Sequence, residues 1–383
     1  MYDNEVEYID DLQKLHIACK YIKQNTNIIG IDTEFIRKHT YYPILCLVQV
    51  IFFDSNISKY KTFIIDTIKI TDIKYFLQIL NSNKIKKIFF SFSQDIDAFL
   101  YLMKNKKIHN VDDIQIMMEF CSYNTNIGYA NCVTKILNVS FTKNKALQIS
   151  NWQKRPLKQE QIDYAVSDVV YLIPMYNYLY KSLVENSNYN HYISEIKYIL
   201  KSKNKKELIN NSWKKLKFLL HKKSLSYVLL IKELCRWREN QAIEQNKIRH
   251  LILTDNSLDL LAEHKPTTIK ELKLLYINNA DLINLQKIHK HELFEIINNF
   301  IKQNGALYDN DIFYTSEKGF PNKSLLNDIY KEVIQISNKL NISLTRTINK
   351  MEIILLLMKY EVKRNILYGW KYDIFKYIFL KKH

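Results

Sequence analysis

Asp32 and Glu34 lie in the run GIDTEF, at the end of a stretch with strand character. Residues i and i+2 of a strand project from one face. Two carboxylates side by side repel one another unless a cation lies between them. On its own a D-x-E pair is equally an ordinary feature of solvated loops. Asp95 follows a second strand-like run, FFSFSQD, where an acid also suits a helix N-terminus. Asp97 is its near competitor. Tyr164 and Asp168, in IDYAVSDVVYL, are four residues apart, which puts both on one helix face with Cβ atoms about 5–6 Å apart. An amphipathic helix with no chemistry could carry them too. As a set, Asp32, Glu34, Asp95 and Asp168 form an oxygen-only donor group without Cys or His. Such donors suit Mg²⁺ or Mn²⁺ and not zinc.

These side chains need elements to hold them. Asn27–Asp32, Ile44–Phe53, Thr62–Asp66 and Lys87–Phe92 are short, β-branched or aromatic runs bounded by polar residues, and are expected to be strands. Ile70–Leu80 and Gln94–Lys104 have helical periodicity. Consecutive strands before the first long helix predict an α/β domain with a mixed sheet. From about Lys158 onward strand signals fade, and the rest of the chain is expected to be all-α.

Of the 383 residues 47% are apolar and 25% charged, which describes a globular chain of two or three domains. The net charge of +17 is unevenly spread. Residues 1–190 hold 22 Lys+Arg against 19 Asp+Glu, a net of +3; residues 191–383 hold 34 against 20, a net of +14. A lysine-rich composition alone would load both halves alike, so the basic half is the expected partner of a polyanion. Five scattered cysteines without a C-x-x-C predict reduced, buried thiols. The acidic start MYDNEVEYIDD is unlike a signal peptide, and no apolar run approaches the ~20 residues of a membrane span, so a cytoplasmic location is expected. No G-x-x-x-x-G-K-[ST] phosphate loop is present, which excludes a helicase of that kind.

The carboxylates and the tyrosine together form a pattern that resembles the DEDD exonuclease superfamily in its tyrosine-bearing branch. IDTEFIRKHTYYPILCLVQV, with Arg37, Thr40, Tyr41, Tyr42, Pro43 and Gln49, resembles the first motif of ribonuclease D. NWQKRPLKQEQIDYAVSDVVYLIP resembles its last, with Trp152, Arg155, Pro156, Leu157 and Gln161 ahead of Tyr164. Between them Asp113 and Gln115 are similar to its DTQ element, and Lys145 to a lysine ahead of the tryptophan. LCRWRENQAIEQNKIRHLILTDNSLDLLAEHKP, through Trp237, Arg238, Glu239 and Ala242, resembles the helical domain shared by helicases and ribonuclease D (HRDC), and the ending LYGWKYDIF, with Gly369 and Trp370, is similar to the family's C-terminus. Three positions depart from the family: Phe90 where a His is frequent, Asn151 for an Asp, and Ile248 for the Pro of a Pro-Arg pair.

The resemblance implies a ribonuclease H-like exonuclease domain over 1–190, a basic helical linker over 191–223, an HRDC domain over 224–303 and a second HRDC-like domain over 304–383. It implies a 3′→5′ exoribonuclease with two divalent ions ~3.5–4 Å apart, stabilising attacking and leaving oxygens. Asp32 and Asp168 would reach the ion holding the nucleophilic water, and Tyr164 would position that water. Free tyrosine titrates near ~10, too high for a base at neutral pH. Thr33, Phe35, Lys145 and Arg155 are the candidate substrate contacts, and Tyr41 and Tyr42 could stack on a base. The implied partners are structured small RNAs, tRNA precursors first, acted on by a monomer. Two alternatives stay open at this point: a DNA 3′→5′ exonuclease using the same acids, and an RNA-binding adaptor without catalysis.

Overall fold

The computed structural model describes residues 3–104, 107–123, 127–216, 225–277, 287–304, 323–357 and 367–380. The sheet has six strands: β1 (Asn4–Ile9), β2 (Ile28–Ile36), β3 (Ile44–Asp54), β4 (Lys59–Asp66), β5 (Lys86–Phe89) and β6 (Val111–Asp113), in the order β1-β4-β3-β2-β5-β6. β2, β3 and β4 pair antiparallel, and β1, β5 and β6 add in parallel. The expected mixed sheet is therefore present, with two additions. β1 is an edge strand whose sequence NEVEYI is mostly exposed, and β6 is three residues of which two are acids. Neither shows the apolar run that marks a strand.

Helices cover both faces. α1 (Leu12–Asn25), α2 (Lys74–Asn81), α3 (Ser93–Met103), α4 (Ile114–Glu119), α5 (Tyr129–Leu137), α6 (Lys145–Gln148), α7 (Gln159–Ser167), α8 (Leu172–Glu185), α9 (Tyr189–Ser202) and α10 (Lys205–Asn210) follow in order. Gly30 fixes how closely α8 approaches. A Cβ there would meet Ile51 at 2.8 Å and Leu172 at 3.0 Å, so glycine lets the start of α8 settle on the central strand.

Three apolar clusters form among the described residues, the largest in the nuclease half with a small one around Trp152 and Tyr164 beside it. Leu230, Ile231, Leu234, Leu258, Leu261, Leu293 and Ile297 build a helical core of their own over the second half. It docks on the first through Tyr41, whose hydroxyl donates to Glu239, and through the Ile248 N–H, which donates to the His39 carbonyl at 3.1 Å. A proline at 248, the commoner family residue, has no N–H for that bond. Tyr41 thus supports the docking and is not free to stack on a base.

The C-terminal helices Lys323–Leu340 and Gly369–Leu380 return to the nuclease core. Ile329, Val333, Trp370 and Phe375 belong to the same buried cluster as Phe120 and Tyr192. Glu195 accepts from Tyr368 Oη (2.8 Å), Trp370 Nε1 (2.8 Å) and Arg346 (3.2 Å), and Arg346 also pairs with Glu119. The expected joint over 303–323 falls almost wholly outside the described residues, as does the basic tract beyond 216.

Candidate active site

β2 delivers Asp32 and Glu34 to one face of the sheet. The β2–β3 ladder shifts register between Glu34 and Phe35, a bulge that ends regular pairing at the site. Opposite them stands α7, whose N-terminus is closed by the Lys158 N–H donating to Gln161 Oε1 at 3.1 Å. Tyr164 lies in α7, and Asp168 is its C-cap residue. Carboxylate oxygens of Asp32, Glu34 and Asp168 lie within 4.8 Å of one another. Glu34 and Asp168 are buried and Asp32 is partly exposed.

Three acids this close are costly to ionise together. Desolvation pushes Asp32 up to about 6, against the pull of the Lys143 ammonium. Glu34 is raised well above the usual carboxylate range by burial first and by Asp32 second. Groups in this state fit a multivalent cation, because it repays desolvation and repulsion at once. The donor chemistry fits hard ions such as Mg²⁺ or Mn²⁺.

Asp95 sits in the first turn of α3, buried, outside that trio. Its Oδ1 accepts a 2.5 Å hydrogen bond from Thr33 Oγ1, and burial, then Asp32, holds its carboxyl far up. Asp97 is separated from the cluster's function by its own partners, Arg37 (3.6 Å) and Lys203 (2.8 Å).

Tyr164 is buried against Trp152, ring centroids 6.0 Å apart. Its phenol is raised above its ordinary value by burial first, then by Glu34 and Asp32. A neutral phenol donates a proton to a hydrogen bond and does not act as a base. Lys143 stands over the Tyr164 ring, 4.2 Å from its centroid, and forms an ion pair with Asp168.

The substrate contacts need correction. Arg155 is not free for a phosphate: its guanidinium forks onto Asp66 with two 2.6 Å bonds and gives its remaining donors to the carbonyls of Trp152 (2.7 Å), Lys154 (2.9 Å) and Cys46 (2.9 Å). Thr33 is buried, with its hydroxyl engaged by Asp95 and not by solvent. The side chain of Lys145 lies outside the described residues. Among the described side chains, Lys143 stands at the acids, in the irregular segment before α6, where periodicity offers no register by which to find it. Phe35 is half-buried at the end of β2. Phe90, in the place of a histidine, packs edge-on against Tyr129.

A 3′-5′ exonuclease family pattern matches residues 6–184, and an HRDC domain pattern matches residues 229–290. The chain is a relative of ribonuclease D, matched over most of its length. Ribonuclease D of Bartonella henselae is 28% identical to it, over 98% of this chain and 89% of that protein. Ribonuclease D of Haemophilus influenzae is 27% identical, over 92% and 82%. Escherichia coli RNase D, described as an exoribonuclease involved in structured RNA processing, shares the fold over 98% of both chains, with a TM-score of 0.73 at 20% identity. Ribonuclease D-type proteins are hydrolytic exoribonucleases, and this chain is an enzyme of that class. Among the described residues no helix is long and apolar enough to cross a membrane.

Proposed function

We propose that the chain removes 5′-mononucleotides one at a time from RNA 3′ ends, at a site built from Asp32, Glu34, Asp95, Asp168 and Tyr164. The observation that carries this reading is the trio of carboxylates within 4.8 Å, two of them buried, flanked by the Tyr164 phenol. Asp32, Glu34 and Asp168, with Asp95 alongside, would hold two divalent ions, Mg²⁺ or Mn²⁺, which would neutralise phosphate charge and lower the pKa of an attacking water. Tyr164 Oη orients that water by hydrogen bonding and takes no proton from it. Lys143 offers a positive charge at the mouth of the cluster, where a scissile phosphate carries its negative one. Phe35, partly open beside Glu34, is placed to pack on the terminal base.

The substrates we propose are structured small RNAs, tRNA precursors with extended 3′ ends first among them, processed in the cytoplasm by a monomer. The proposed units are a nuclease domain at 1–190, a basic linker at 191–223 and HRDC-type helical modules at 224–303 and 304–383, with α9 and the C-terminal helices packed into the nuclease core. Purified protein with Mg²⁺ or Mn²⁺ should shorten a 3′-extended tRNA stepwise and release mononucleotides, and EDTA should stop it. Faster removal of nucleotides from a matched DNA strand would replace RNA by DNA as the substrate.

A further inference from the structure

α3 carries Asp95 to the acids in its first turn and continues along a groove of about 670 Å³. Residues of α9 and α10 also line it, together with Arg37 and Arg249. Eight lysines and arginines line this groove against one carboxylate, Asp97. Asp97 is already neutralised by Arg37 and Lys203, and Arg249 is held by Glu239. Lys104, Lys107, Lys197, Lys201 and Lys205 have no acidic partner within 4 Å among the described residues. A solvated lysine-rich surface spreads its charge, whereas these lysines line one concavity, where like charges focus their field. An aromatic platform accompanies them: Tyr101, 51% exposed, stacks on Tyr42 with ring centroids 4.6 Å apart.

We propose that this groove is the binding site for the single-stranded RNA that leads to the 3′ end, its phosphates on the five lysines and a base on Tyr101. The proposal rests on the exoribonuclease reading of the acid cluster and adds where the rest of the substrate lies. Two features select a nucleic-acid strand over another polyanion. Unpaired cations interleaved with an exposed ring match a backbone and a base together. The groove also starts at Ile96, next to Asp95, and runs to Lys104, about 12 Å along the helix axis at ~1.5 Å per residue. A strand whose terminal phosphate is at the acids must continue past this surface or away from it.

The test compares two charge-matched variants of the full chain. One replaces Lys104, Lys107, Lys201 and Lys205 by Gln; the other replaces Lys20, Lys23, Lys84 and Lys181, exposed lysines outside the groove. Binding of a sixteen-nucleotide oligouridylate is titrated at several salt concentrations in EDTA, so that nothing is cleaved. Cleavage of a trinucleotide, too short to fill the groove, is measured with Mg²⁺. The groove variant should bind the long RNA ~10-fold or more weakly, with a log–log salt slope shallower by about 2–3, since each lost phosphate contact removes ~0.7. Its trinucleotide kcat should stay within about two-fold of the parent. An unchanged slope, an equal loss in the control variant, or an equal loss on the trinucleotide each overturns the proposal. A parent protein that binds through the groove yet cleaves neither RNA would instead overturn the catalytic reading and leave the groove standing.

Discussion

Thr33 Oγ1 holds Asp95 Oδ1 at 2.5 Å, so the residue between the two acids of β2 ties the acid of α3 to the same strand. The bond crosses 62 positions of sequence and adds a direct polar tie between β2 and α3, which also share one apolar core. Thr33→Val keeps the shape and removes the hydroxyl, so Asp95 loses its anchor. Activity should fall by about 10–100-fold, the usual scale for a residue that orients a metal ligand. Asp95→Ala should cost more. Steady-state kinetics on one RNA with both variants decides this; a Thr33→Val enzyme at parental rate would show that Asp95 needs no anchor.

Removal of the carboxylates tests the cluster itself. Asp32→Ala, Glu34→Ala and Asp168→Ala should each lower turnover by about 10²–10³-fold or more while the thermal transition is kept, because charge stabilisation and water activation fail together. EDTA should match them, and added Mg²⁺ or Mn²⁺ should restore the parent only. Ion binding must also displace protons. The folded-state value of Asp32 is raised to about 6 and Glu34 is raised as well, so affinity for Mg²⁺ should weaken steadily as pH falls toward and through 6. Calorimetry at several pH values reads this directly.

Tyr164→Phe retains the packing on Trp152 and loses only Oη. Positioning matters in the transition state, so kcat should drop about 10²-fold or more while RNA Kd stays near the parental value. A loss confined to Kd would assign the hydroxyl to substrate binding.

Arg155 is predicted to serve stability. Its partner Asp66 is fully buried and also accepts from Tyr8 Oη at 2.6 Å. Arg155→Ala leaves that carboxylate without its cation, which costs about 3–5 kcal/mol in buried pairs. Denaturant unfolding should show the loss, whereas RNA affinity measured on the folded variant at fixed salt should be unchanged. A phosphate-binding arginine would give the reverse.

The C-terminal return of the chain makes its own prediction. Trp370 is 2% exposed, packs on Phe120 and donates to Glu195. Trp370→Ala should destabilise the nuclease domain by about 3–5 kcal/mol. Leu293→Ala, in the separate helical core, should leave unfolding of the nuclease core largely unchanged. A chain ended near Ser202 should therefore be less stable than the full chain, since it exposes Phe120 and Tyr192 and unpairs Glu119 and Glu195. Denaturant midpoints of the three forms test this order.

The sequence by itself determined the α/β class, the central strands and the identity of the acids. Runs such as IIGID and ILCLVQVIFF are apolar and β-branched because both faces of those strands are buried, and that pattern is local. Spacing placed Asp32 with Glu34 and Tyr164 with Asp168, because i, i+2 and i, i+4 geometry is a property of single elements. Strands β1 and β6 were not legible, since β1 is an exposed edge and β6, though buried, is three residues of which two are acids. Only the tertiary structure decided between partners far apart in the chain. Arg155 turns to Asp66, 89 positions away, Tyr41 to Glu239, 198 away, and Trp370 to Glu195, 175 away. Lys143 was missed for a related reason: the segment before α6 has no repeat to fix which side chain turns inward. A charged side chain finds the oppositely charged group that the fold leaves within reach, and that reach is set by the packing of whole elements.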